Sequence, residues 1–150
     1  MRGNPRISLE ELEVGATRET VVVEGLTRTQ IVQYAAGSGD FNPIHHDETF
    51  ATKAAGYPSV FAHGMLTMGL AAKLLTDWLG DGVLRSYGAR FVKQVWPGDT
   101  LTARGTVKRM DVEGETGVVE LELVTVNQRD EAVLTATATA VLPRRRTEGA

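Results

Sequence analysis

The chain has 150 residues, 42% of them hydrophobic and 23% charged, the make-up of one compact domain rather than two. Sixteen glycines and five prolines exclude collagen-like and low-complexity classes, and the lack of cysteine excludes a disulfide scaffold, a thiolate metal site and a cysteine nucleophile. Sixteen basic against nineteen acidic side chains leave a formal charge of −3, which does not favour adhesion to nucleic acid or an anionic membrane.

Met1-Arg2-Gly3-Asn4-Pro5 has no apolar stretch of signal-peptide length, and no segment reaches the ~20 apolar residues of a membrane span, so a soluble cytoplasmic domain is expected. A single domain over residues 1–150 is expected, with flexible tails at 1–6 and 143–150, the second carrying the basic run Arg144-Arg145-Arg146. Thr17 to Val23 is β-branched, follows Gly15 and reads as a strand. Thr27 is a candidate N-cap for a helix through Ile31, Tyr34 and Ala36, with Gly37-Ser38-Gly39 as its breaker. Asp40 to His46 is irregular, and Asp47 is placed to cap a short helix from Glu48 to Ala55. Met65 to Leu79 is apolar nearly all round, which predicts a buried helix.

After Gly80-Asp81-Gly82 the period changes. Four extended runs follow, roughly Leu84 to Val95, Thr100 to Arg109, Val118 to Asn127 and Ala132 to Leu142, with turns at Pro97-Gly98-Asp99, Glu113-Gly114-Glu115 and Gln128-Arg129-Asp130. Consecutive strands without intervening helices pair antiparallel, and the all-apolar helix must be covered by their sheet. The expected architecture is α+β, a single hot-dog fold in which a curled antiparallel sheet wraps a long central helix. A single sheet layer leaves edges to be managed, for which dimerisation is the common solution.

The three histidines, His45, His46 and His63, fall within nineteen positions. In Gly39-Asp40-Phe41-Asn42-Pro43-Ile44-His45 a carboxylate precedes an imidazole by five residues on Pro-stiffened chain, a pair able to hold one water and exchange its protons. The same residues also suit a turn capped by Asp40 with a satisfied histidine beside it. A metal site is not expected, because adjacent histidines seldom converge on one ion and the usual ligand spacings are absent. Ala62-His63-Gly64-Met65 stands where the apolar helix begins. There a helix N-terminus offers unpaired N–H groups, and Gly64 lets a ligand oxygen approach them, or else simply permits close packing. Neither a phosphate-cradling glycine loop nor Gly-x-Ser-x-Gly is present, which lowers the weight of hydride transfer and serine hydrolysis.

Ser38-Gly39-Asp40-Phe41-Asn42-Pro43-Ile44-His45, then Ala62-His63-Gly64-Met65-Leu66-Thr67-Met68-Gly69, then Arg90-Phe91 and Pro97-Gly98-Asp99 together resemble the MaoC-like family of (R)-specific enoyl-thioester hydratases and dehydratases. Within it, the chain is most similar to the catalytic β subunit of bacterial type II fatty-acid-synthase dehydratases, which work as homodimers or with a related partner subunit. His46 departs from that subunit type, which more often carries an aromatic residue there. The resemblance implies Asp40 and His45 as the catalytic pair, the Gly64 N–H as oxyanion donor, and Asn42, which supports the loop, with His63 and Met65 as substrate-binding residues. It implies reversible hydration of trans-2-enoyl thioesters to (R)-3-hydroxyacyl thioesters without a cofactor, coenzyme A or acyl carrier protein being part of the substrate. Two rivals share the fold: a thioesterase, which usually places a base along the central helix, where Asp77 is the only acid, and a non-catalytic partner subunit, which would lack the Asp/His pair.

Overall fold

The computed structural model describes residues 3–145. Five strands and two long helices follow in the order β1 (Thr17–Val23), α1 (Arg28–Ser38), α2 (Gly64–Leu79), β2 (Leu84–Phe91), β3 (Leu101–Glu113), β4 (Thr116–Val126) and β5 (Ala132–Pro143). All pairings are antiparallel and the spatial order is β1-β3-β4-β5-β2. One curled sheet therefore carries α2 on its inner face, the expected hot-dog arrangement.

Local chemistry sets the ends of α1. Thr27 and Gln30 form a capping box, the Thr27 hydroxyl accepting from the Gln30 N–H (3.1 Å) and the Gln30 side chain accepting from the Thr27 N–H (2.9 Å). The helix runs through Gly37 and Ser38 and stops only at Gly39, whose φ of 76° is left-handed. Ser38 stays helical while its hydroxyl donates back to the Tyr34 carbonyl (2.7 Å). The short helix after Asp47 is present, Asp47 accepting from the Phe50 N–H (3.0 Å), and it closes in a π turn, Phe50–Ala54.

The core lies between α2 and the strands. Ala71, Leu74, Leu75 and Leu79 are fully buried against Leu101, Ala103, Leu121, Leu134 and Leu142. Gly105 of β3 lies directly under the helix: a Cβ there would come within 2.8 Å of Leu74 and 3.4 Å of Trp78, so the glycine allows the close approach of helix to sheet.

Two expectations are corrected. The apolar helix is not buried all round, because one sheet layer covers only one of its sides: Met65 is 56% exposed, and Leu66, Met68 and Leu70 are half-buried. The first of the four extended runs ends at Phe91 rather than Val95. The Val92 and Lys93 N–H groups both turn onto the Val133 carbonyl, and the chain leaves the sheet. The tails expected to be flexible make contacts where they are described. Asn4 and Arg6 bond to Asp81, Arg144 reaches Glu10, and the Arg145 N–H donates to Glu10. The flexibility expected of 1–2 and 146–150 lies outside the described residues, as does Arg146.

Candidate active site

The loop between α1 and the π turn is shaped by its own side chains. Asp40 Oδ1 accepts from the Asn42 N–H and Asn42 Oδ1 from the Ile44 N–H, both at 3.2 Å, which turns the chain into the 3-10 turn Pro43–His45 with proline at its start. Asn42, expected to bind substrate, thus gives its oxygen to the loop. His46 also serves the loop, its Nε2–H donating to the Phe41 carbonyl (3.0 Å).

His45 is 7% exposed, and its Nδ1 lies 2.7 Å from the Phe61 carbonyl. A carbonyl only accepts, so Nδ1 carries the proton, and the other nitrogen of the neutral ring is left as an acceptor. Burial holds the His45 pKa below its ordinary value of 6.5, reinforced by His63 and His46. The Phe61 hydrogen bond and the Asp40 carboxylate oppose the shift. The ring is therefore neutral near pH 7 and ready to take a proton.

His63 immediately precedes α2. It is 2% exposed, its Nε2 lies 2.9 Å from the main-chain carbonyl of Asp40, and its ring stacks on His45 with centroids 3.8 Å apart and planes 28° from parallel. One ligand-type atom from each of Asp40, His45 and His63 lies within 4.8 Å of the others. A single water can bridge such a span between Asp40 and His45. The group is poorly shaped for a metal. Imidazole lone pairs lie in the ring plane, and rings stacked this closely cannot both aim at one ion about 2 Å away.

Gly64 is the first residue of α2, and no side chain caps that turn among the described residues. Its leading N–H groups have no partner within the helix. A Cβ on Gly64 would meet three Phe91 ring carbons at 3.0 to 3.1 Å, so glycine lets Phe91 and the helix end meet. A concavity of about 250 Å³ opens beside this end, walled by Phe61, Gly64, Thr67, Phe91 and the segment from Val92 to Val95. A larger groove, about 1020 Å³, crosses the outer sheet face and is walled by none of Asp40, His45 or Gly64, whereas Gly64 walls the smaller one.

The structure thus brings Asp40, His45 and His63 together, with Gly64 immediately after His63. Met65 stands exposed on the first turn of the helix, and His63 is buried with its ring stacked on His45. Reading by residue type missed Phe61, which acts through a backbone carbonyl that carries no sequence signal, and Phe91 as the neighbour of Gly64. Tyr34, packed on His63 with centroids 4.8 Å apart, was also missed. Only its spacing of four residues before Ser38 pointed toward the site.

The family model for the MaoC like domain matches residues 10–129. Over 68 residues, 43% of this chain, the sequence is 48% identical to a 3-hydroxyacyl-thioester dehydratase Y of Mycobacterium tuberculosis, 23% of whose length is covered. The chain spans a third or less of the length of the curated relatives it matches. Among solved structures, the (R)-hydratase PhaJ1 of Pseudomonas aeruginosa is similar, with a TM-score of 0.80 and 26% identity over 96% of this chain and 90% of that one. The ChsH1-ChsH2 complex of Mycobacterium tuberculosis is also similar, with a TM-score of 0.72 and 28% identity over 88% of this chain and 98% of that one. The curled sheet around α2, the Asp40/His45 loop and a matching model across most of its length agree: the chain belongs to the MaoC-like domain family.

Proposed function

We propose that this chain hydrates trans-2-enoyl thioesters to (R)-3-hydroxyacyl thioesters and catalyses the reverse dehydration. The observation that carries this reading is the pairing of the Asp40 carboxylate with a buried, Nδ1-protonated His45 ahead of an uncapped helix end. Water held between Asp40 and His45 gives up a proton to the pair as its oxygen bonds to C3, and a proton delivered from the pair completes C2. The Gly64 N–H holds the thioester oxygen while negative charge accumulates on it, which is where a preorganised donor has most effect. Dehydration runs the same steps backwards. No metal or redox cofactor enters this scheme, and coenzyme A or acyl carrier protein is a handle on the substrate. The (R) outcome is supported by the likeness to an (R)-hydratase.

The half-buried side of α2 and the free edge of β2 support a second hot-dog subunit, a copy of this chain or a related one. The proposed compartment is the cytoplasm, with which a cysteine-free chain is compatible. No described helix is long and apolar enough to cross a membrane.

Hydration is followed as loss of the conjugated enoyl-thioester absorbance with crotonyl-CoA and longer analogues. Asp40→Asn and His45→Ala are each expected to lower the rate by roughly 10²-fold or more. Unchanged rates in both would remove the site assignment, and release of free thiol by the wild type would favour a thioesterase instead. Asp77, the one acid on α2, is committed to Lys73 and Asn4 at the far end, which speaks against that alternative.

A further inference from the structure

His63 makes contacts that neither a substrate ligand nor a packing residue would need. We propose that His63 is a positioning residue of the hydration reaction, one side chain that sets both members of the acid–base pair: Asp40 through its main-chain carbonyl and His45 through ring stacking. This rests on the hydration reading above.

His45 is held at two points. The Phe61 carbonyl fixes its Nδ1, which sets rotation within the ring plane, and the Phe61 ring meets it edge-on with centroids 5.3 Å apart and planes at 79°. His63 adds a third contact, stacking on the imidazole face at 3.8 Å and backed in turn by Tyr34 of α1. Asp40 is the exposed member of the pair, on irregular chain just past the left-handed Gly39, where its own N–H donates to the Ser38 hydroxyl (3.2 Å). The His63 Nε2–H ties that backbone by its carbonyl to the residue before Gly64. The pair and the oxyanion donor are thereby held in one frame, and small misplacements of such groups are costly to rate.

A purely structural residue would not look like this. His63 Nδ1 is fully buried and has no hydrogen-bond partner among the described residues. Burial of an unpaired nitrogen carries a desolvation cost that an apolar ring of the same shape avoids. The hydrogen bond the side chain gains in return is the one to Asp40. The charged and titratable groups around His45 are Asp40, which favours its protonated form, and His46 and His63, which disfavour it.

Two variants separate the contacts. His63→Phe keeps a ring on His45 and deletes the bond to Asp40. His63→Gln places an amide nitrogen near the Nε2 position and deletes the ring. Positioning through Asp40 requires His63→Phe to lower kcat for crotonyl-CoA hydration by about tenfold or more with KM little changed, and His63→Gln to recover part of the loss. In both variants the acid limb of kcat/KM should move up in pH, because a neighbour that disfavours His45 protonation has gone. Should His63→Phe fail to fold, the His63→Gln enzyme supplies the readout by nitrogen-15 NMR of the His45 ring, whose titration must shift upward. A wild type that hydrates the thioester beside a His63→Phe enzyme within twofold of it, with an unmoved acid limb, would overturn the positioning role alone. A wild type inactive on all enoyl thioesters would overturn the hydration reading and this proposal with it.

Discussion

The two ends of α2 meet the same physical problem and solve it oppositely. Every helix leaves orphan backbone groups at its termini. At the C-terminal end the N-terminal segment closes over them: the Ile7 N–H donates to the Leu79 carbonyl (3.2 Å), Asn4 Nδ2 reaches the Thr76 carbonyl (3.3 Å) and Asp77 (2.9 Å), and Arg6 holds the Asp81 carbonyl (2.9 Å). At the N-terminal end no side chain caps the first turn, and a buried histidine pair sits beside it. The closed end is a clamp, whereas the open end has no side-chain cap among the described residues, and the proposed hydration would use its donors. A helix can serve as scaffold and as part of a reactive centre when its two termini are treated differently.

The largest expected effect tests the closed end. A Cβ at Gly80 would collide with the backbone of Pro5 and Arg6, and its φ of 95° is already unfavourable for other residues, so Gly80→Ala should cost about 3 kcal/mol in denaturant unfolding. Activity per folded molecule should be unchanged; a parallel loss of kcat would show that the ends are not separable. Gly64→Ala is the counterpart. Phe91 is half exposed and its ring can yield, so stability should fall by about 1 kcal/mol or less, while kcat drops by about tenfold or more as the added methyl crowds the oxyanion donor. Equal losses of stability in the two glycine variants would erase the contrast.

The pH dependence sharpens the open end further. His45 must be neutral to accept a proton, and its pKa in the folded chain lies below 6.5, so the acid limb of kcat/KM should lie below pH 6.5 and fall tenfold per pH unit beneath it. The same shift has a stability consequence of definite sign. The unfolded chain binds this proton more readily, so the contribution is present above pH 6.5 and is lost as pH falls through the lower folded pKa. A limb at or above 6.5 would contradict the burial of His45. The smallest effect belongs to Asn4→Ala, which removes two exposed hydrogen bonds at the closed end and should cost about 1 kcal/mol or less with kcat intact, measured by denaturant midpoint and initial rate.

Local pattern was sufficient for much of this. The strand Thr17–Val23 has the predicted bounds, and Thr27 caps its helix. The Asp40-to-His45 loop is irregular but for its 3-10 turn, and α2 begins beside Gly64 as its apolar run implied. These features depend on residues a few positions apart, whose β-branching, capping oxygens and backbone freedom act over one or two turns. The helix breaker was placed too early because Ser38 bonds back to Tyr34, a choice between local alternatives that residue type does not decide.

The parts that were not legible join distant positions. Sixteen residues separate His45 from Phe61, 23 separate His63 from Asp40 and 77 separate Asn4 from Asp81. By itself, the sequence determined the absence of cysteine from these 150 residues, the order of strands and helices, an Asp/His loop and a glycine at a helix start. Only the tertiary structure decided that His63 stacks on His45, and that Asn4, Arg6 and Ile7 clamp the far end of α2. It also decided that one side of that helix is left half-covered by the single sheet. The reason is that backbone carbonyls and the faces of rings are the same in every sequence until packing selects which of them meet.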